Sequence, residues 1–138
     1  MNKPLTVASW MTTEVHTLNR NDRLSVADDL LSMERIRHLP VLDEDGSLAG
    51  IVSQRDLFRG SLARALGYGE TAQQKLLDML VVKEVMTIQV ETVAPDAPLA
   101  EAAARMVKKG IGSLVVVDGD HIVGILTEGD FVRRAAGS

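Results

Sequence analysis

Residues 36–56 read IRHLPVLDEDGSLAGIVSQRD, and residues 111–130 read IGSLVVVDGDHIVGILTEGD. Each stretch is a short apolar run, a turn of Asp and Gly, a second apolar run, and then a hydroxyl residue followed three positions later by aspartate. The runs Leu39 to Leu42 and Ser113 to Val117 have the length and aliphatic character of buried strands. Asp43-Glu44-Asp45-Gly46 and Asp118-Gly119-Asp120 are residues suited to a tight reversal, so each run turns back into Leu48 to Val52 or Ile122 to Leu126 as a hairpin. A helix is expected to start near Ser53 in the first stretch and near Thr127 in the second.

Working outward, the two stretches belong to a longer duplication. A shift of 75 places Met11-Thr12 on Met86-Thr87, Val15 and Thr17 on Val90 and Thr92, Leu24 and Ala27 on Leu99 and Ala102, and Ile36, Leu39, Val41 and Asp43 on Ile111, Leu114, Val116 and Asp118. One residue is then lost from the turn. The shift becomes 74, with Gly50-Ile51 on Gly124-Ile125, Asp56 on Asp130 and Arg59 on Arg133. The period is too long for a solenoid repeat and suggests two copies of one supersecondary unit facing each other across a pseudo-two-fold axis.

Upstream of each hairpin comes a short extended stretch, Val15 to Leu18 or Val90 to Val93, then a polar turn and a helix. In copy two Asp96 is placed to cap that helix, Leu99, Ala102, Ala103, Met106 and Val107 recur at helical spacing, and Gly110 sits where a left-handed terminal residue belongs. Copy one offers Leu24, Ala27, Leu30, Leu31 and Ile36. The order is β-α-β-β-α, twice, an α+β chain. Each small sheet needs its apolar face covered, which explains why two copies share one chain. Residues 5–60 are read as motif one, 61–80 as a helical linker with Gly67-Tyr68-Gly69 inside it and Leu76, Leu77 and Leu80 on its apolar side, and 81–136 as motif two.

Composition narrows the function. The 138 residues are 46% hydrophobic but only 3% aromatic, so the core is aliphatic. A net charge of −4 offers no basic footprint for broad nucleic-acid binding, though a local basic pocket for one small anion remains compatible. The absence of cysteine excludes disulfides, thiolate zinc sites and a cysteine nucleophile. The start MNKPLTVASW lacks the apolar region of a signal peptide, and Leu114 to Val117 is far shorter than the roughly 20 residues of a membrane span. The expectation is a cytoplasmic protein. His16, His38 and His121 are scattered, with no helical metal spacing. There is neither a phosphate loop nor a nucleophile elbow, so no enzyme activity is expected. Trp10 and Tyr68 read as packing or dimer contacts.

Arg35-Ile36-Arg37-His38-Leu39-Pro40-Val41 and Gly50-Ile51-Val52-Ser53-Gln54-Arg55-Asp56-Leu57, with Met-Thr upstream, resemble the CBS (cystathionine β-synthase) motif. Copy two repeats it as Val85-Met86-Thr87, Ile111 to Val117 and Gly124 to Phe131. The resemblance covers roughly residues 5 to 136. It implies a CBS pair (Bateman-type module) with two clefts between the motifs, where many members bind AMP, ADP, ATP or S-adenosylmethionine. It also implies a homodimer that regulates a partner protein in trans, with no required cofactor, while charge and hydropathy argue against nucleic acid or a membrane as partner.

The resemblance also assigns roles. Asp56 and Asp130 would accept hydrogen bonds from ribose hydroxyls, with Ser53 and Thr127 near phosphate or ribose. The same spacing is that of a capping box, which needs no ligand, and both roles can coexist. Arg37 and His38 would reach phosphates, or else form the solvated end of a helix. One cleft would join Val15, His16, Arg37, His38 and Pro40 with Thr127 and Asp130. The other would join Val90, Glu91, Ser113 and Val115 with Ser53, Arg55 and Asp56. Copy two has Gly112 and Ser113 in place of Arg37 and His38, so the two sites would be unequal. The competing reading is a ligand-free structural or dimerisation module.

Overall fold

The computed structural model describes residues 5–33, 36–57 and 77–137. In chain order the elements are α1 (Val7–Trp10), β1 (Leu18–Asn19), α2 (Leu24–Met33), β2 (His38–Leu42), β3 (Leu48–Ser53), a 3-10 turn (Val82–Glu84), β4 (Thr92–Val93), α3 (Leu99–Lys109), β5 (Ser113–Asp118), β6 (His121–Thr127) and α4 (Glu128–Ala135). Residues 54–57 form a helical turn after β3, and residues 77–79 are helical. The repeated β-α-β-β-α order is present. Gly67, Tyr68, Gly69, Leu76 and most of the expected linker helix lie outside the described residues.

The chain divides into two compact units. One is residues 1–15 with 90–138, and the other is residues 16–89. Each holds a three-stranded sheet, β1-β2-β3 or β4-β5-β6. In both, the first strand runs parallel to the second and the hairpin is antiparallel, with a register shift at Val41/Leu42 or Val116/Val117. The residue missing from copy two falls in its turn. Asp43 and Ser47 close the longer loop, where Gly46 takes φ 86°, and Gly119 takes φ 62° in the shorter one.

Each sheet is buried by its own helix. In the residue 16–89 unit, Leu18, Leu24, Ala27, Leu31, Leu39, Val41 and Val52 form the core. In the other, Val7, Leu99, Ala102, Met106, Leu114, Val116 and Leu126 do. Burying each large aliphatic side chain contributes about 1.5 to 3 kcal/mol, and this contribution rather than aromatic stacking holds both sheets.

Three local expectations are corrected. Ladder pairing starts only at Leu18 and Thr92, although the Glu91 carbonyl already accepts from the Val115 N–H at 3.1 Å, so the strands are two residues long and polar turns follow at once. Asp96 does not cap α3. Pro98 occupies the cap position without a side-chain bond, and the Leu99 N–H donates to the Leu5 carbonyl at 2.9 Å. A backbone acceptor from the N-terminal segment therefore does what a carboxylate was expected to do. Val107 is 84% exposed, so the buried stripe of α3 is the narrower Leu99, Ala102, Met106 set. Gly110 does end the helix in the left-handed region at φ 64°, ψ 36°.

Candidate functional site

The two hydroxyl–aspartate pairs sit where β3 and β6 hand the chain to a helix. In the unit containing motif two, Thr127 caps α4. Its N–H donates to Asp130 Oδ2 at 2.8 Å, its hydroxyl donates to the same oxygen at 3.2 Å, and the Asp130 N–H donates back to Thr127 Oγ1 at 3.3 Å. That reciprocal box satisfies helix donors with no ligand. Asp130 is the sole charged side chain among the buried residues described, at 5% exposure.

Two more donors reach its second oxygen. Thr12 Oγ1 donates to Oδ1 at 2.7 Å, and Arg133 Nη2 donates to it at 2.7 Å. Thr12 is held there by backbone. Its N–H and carbonyl both bond to Ile125 at 2.9 Å, and Met11 Sδ packs over Gly124. A Cβ on Gly124 would lie 2.6 Å from that sulfur and 2.9 Å from the Thr12 carbonyl oxygen, so only glycine admits this approach.

The other unit repeats the box in a simpler form. The Ser53 N–H and hydroxyl donate to Asp56 Oδ2 at 2.9 and 3.0 Å, and the Asp56 N–H donates to Ser53 Oγ at 3.1 Å. Thr87 clamps Ile51 through two 2.9 Å backbone bonds, with Met86 over Gly50. Among the described residues, however, the Thr87 hydroxyl makes no bond to Asp56. The residue aligned with Arg133, Arg59, lies outside the described residues.

Arg37 and His38 stand beside the first cap. His38 pairs with Ser53 across the hairpin, and the Gln54 N–H donates to the Arg37 carbonyl at 2.9 Å. Pro40 is buried in β2, His16 and His38 are half-buried, and Arg37 and Arg55 are exposed. In the other unit Ser113 pairs with Thr127, and the Glu128 N–H donates to the Gly112 carbonyl at 3.1 Å. Val15 and Val90 are half-buried outside any strand, and Val115 is fully buried in β5. The two expected groupings draw residues from both units. Within each unit, the hairpin's first strand and its own cap lie side by side.

Glu91 is paired inside its own unit. Arg105 donates to it at 3.0 Å and to the Thr92 carbonyl at 2.7 Å, and Lys109 bonds its other oxygen. The hydrogen bond from Lys109, followed by that from Arg105, holds the Glu91 carboxyl below the usual glutamate range. Trp10 meets Phe131 edge-on at 5.5 Å, a packing contact as expected. Among the described residues no group of three or more His, Asp or Glu could hold a metal ion, and no helix is long and apolar enough to cross a membrane.

Comparison with known proteins matches residues 7–63 and 82–137 to the CBS domain. The chain belongs to the CBS domain family. It is similar to AcuB from Vibrio cholerae, with 38% identity and a TM-score of 0.80 over 98% of this chain and 93% of that one. It is similar to the CBS domain pair of protein MJ0100, solved with 5′-methylthioadenosine and S-adenosyl-L-methionine, at 30% identity, TM-score 0.77 and 98% of both chains. It is also similar to CBSX2, solved with AMP, at 30% identity, TM-score 0.75 and 96% of both chains. The chain spans about a quarter of the length of the homoserine O-acetyltransferase of Methanococcoides burtonii, to which it is 34% identical over 128 residues.

Within this CBS pair, sequence reasoning missed Thr12 and Arg133 as partners of Asp130. The signal for Thr12 was available, because Met-Thr and Gly-Ile recur at related shifts. What the repeat conceals is that the Met-Thr of each motif joins the unit that holds the other motif's hairpin.

Proposed function

We propose that this CBS pair is a regulatory module that binds an adenosine-containing ligand (AMP, ADP, ATP or S-adenosylmethionine) and modulates a partner protein in trans. The observation that carries this reading is the pair of aspartates held by Ser53 at the helical turn after β3 and by Thr127 at the start of α4. A fixed carboxylate accepts from two adjacent hydroxyls, as a ribose presents, and the nearby helix N-terminus favours an anion. The likeness to CBS pairs solved with S-adenosyl-L-methionine and with AMP supports the ligand class.

In this reading Asp56 and Asp130 take ribose, with Ser53 and Thr127 beside them. Arg37, His38 and Arg55 serve phosphate, Arg for its planar fork of donors. Val15, His16, Pro40, Val90 and Ser113 line the base and sugar. The motifs run over residues 5–60 and 81–136 with the linker at 61–80. The protein acts as a homodimer in the cytoplasm and catalyses no reaction. Binding biases a conformational equilibrium that the partner reads, a coupling of about 1 to 3 kcal/mol.

Thermal unfolding against AMP, ADP, ATP, S-adenosylmethionine, NAD and a guanosine control tests this. A ligand at 100 times its dissociation constant stabilises by about 2.7 kcal/mol, or roughly 5 to 15 °C for a chain of this size. One observation favours the competing, ligand-free interaction module. Asp130 is already satisfied by protein donors. No shift with any compound would select that reading.

A further inference from the structure

Helix α3 carries two opposite charges one turn apart, Glu101 and Arg105, a spacing at which such side chains commonly bond to each other. Here they do not. Arg105 Nη2 donates to Glu91 Oε2 at 3.0 Å and to the Thr92 carbonyl at 2.7 Å, which draws its guanidinium toward β4. No described residue bonds its Nε or Nη1, and none bonds the exposed Glu101 carboxylate.

Both residues line a cavity of about 300 Å³, whose apolar walls are Val93, Ala94, Ala97, Ala102 and Val117. It lies wholly within the unit of residues 1–15 and 90–138. Val93 and Ala102 belong to the packed core, so its floor is fixed. A difference between the copies leaves the space. Motif one has Asn19, Asp22 and Leu30 at the positions of Ala94, Ala97 and Arg105. There the Asn19 N–H donates to Asp22 Oδ2 at 2.8 Å, and Leu30 packs on the core. Motif two puts two methyl groups and a diverted arginine in their place.

The lining has a definite chemistry. Arg105 and Lys109 share the single carboxylate of Glu91, so that group keeps a net positive charge. Glu101 supplies an open negative one, and the walls between are aliphatic. The complement is a small zwitterion with an aliphatic tail. Its ammonium meets Glu101, its carboxylate meets the unused donors of Arg105, and its tail lies on Val93 and Ala102. The volume is at the small end of ligand sites, about 300 to 1,000 Å³, which suits one amino acid and not a nucleotide. We propose that this cavity is a further ligand site, separate from the hydroxyl–aspartate caps, and that it takes a free aliphatic α-amino acid.

A nuclear magnetic resonance titration of the isotope-labelled full chain with L-leucine tests this, with isocaproate (no ammonium) and isoamylamine (no carboxylate) beside it. Leucine is expected to shift the amide signals of Thr92 to Ala97 and of Val117 saturably. Each comparison compound is expected to bind about tenfold more weakly or worse, since it forfeits one charge-assisted hydrogen bond. Glu101→Gln is expected to weaken leucine by a similar factor, and Ala94→Phe, which adds a ring to the wall, to abolish its binding. Circular dichroism confirms that both variants are folded. Leucine that moves none of these signals overturns the proposal. So does leucine that binds Glu101→Gln as tightly as the wild type, or a comparison compound that matches it. Titrating AMP into the same sample reports on the adenosyl reading separately, and neither result there alters this one.

Discussion

The two caps of this CBS pair share a backbone plan and differ in how fully their carboxylates are used. Asp130 is buried and takes donors from three residues, one of them 118 positions away in sequence. Asp56 is half-buried and, among the described residues, takes donors from Ser53 alone. Duplication therefore kept the frame (parallel strand, shifted hairpin, glycine under methionine) and let the polar chemistry on it diverge. A frame fixed by close packing tolerates few substitutes, while a carboxylate at a helix start works with one partner or with three.

The comparison is broken most directly by removing each carboxylate. Asp130→Ala removes the acceptor that Thr12, Thr127 and Arg133 share and is expected to cost about 3 kcal/mol in urea unfolding, because a buried, charge-assisted cluster loses its centre. Asp56→Ala removes one cap and is expected to cost about 1 kcal/mol. Equal costs would show that the extra donors on Asp130 contribute nothing. The shared frame sets the next test. Gly124→Ala and Gly50→Ala each drive a carbon to within 2.9 and 2.8 Å of a backbone oxygen, and each is expected to cost about 2 kcal/mol. A large inequality there would mean the clamps are not equivalent.

Smaller effects sharpen the contrast. Thr12→Val deletes the hydroxyl bond to Asp130 and is expected to cost about 1 kcal/mol, whereas Thr87→Val stays within about 0.5 kcal/mol of the wild type. Smallest is Glu91, whose partners Arg105 and Lys109 align with Leu30 and Glu34 in motif one, so the ion cluster is peculiar to motif two. Its folded pKa is depressed. The stabilisation it gives is therefore present above its unfolded value and is lost as pH falls through the folded one. Stability followed between about pH 5 and about pH 3 should fall slightly more steeply for the wild type than for Glu91→Gln. Identical slopes would show the cluster to be thermodynamically silent.

The pattern of apolar runs and Asp-Gly turns made the hairpins legible to within a residue or two, because strand burial is written in adjacent side chains. Gly110 was legible for a similar reason, since a left-handed helix end has few alternatives. The start of α3 was not legible. Its first N–H is met by the carbonyl of Leu5, and backbone acceptors leave no trace in side-chain identity. The candidate site divides the same way. Ser53-x-x-Asp56 and Thr127-x-x-Asp130 announce their caps through spacing alone. The arrival of Thr12 at Asp130 depends on a bridge between distant backbone segments, which no side-chain pattern announces. Val107 misled for a simpler reason: helical spacing shows which residues share a face and not how wide the buried stripe is.

The measurement that bears most directly on the sensor reading is calorimetric titration of the wild type, Asp130→Ala and Asp56→Ala with AMP and with S-adenosylmethionine. The expected result is saturable binding to the wild type by at least one of the two. Asp130→Ala and Asp56→Ala should each weaken or abolish binding at their own site, and so leave different residual sites. Binding that survives unchanged in both variants would contradict the role given to the two aspartates, and a wild type that binds neither compound would contradict the reading of this CBS pair as an adenosyl-ligand sensor.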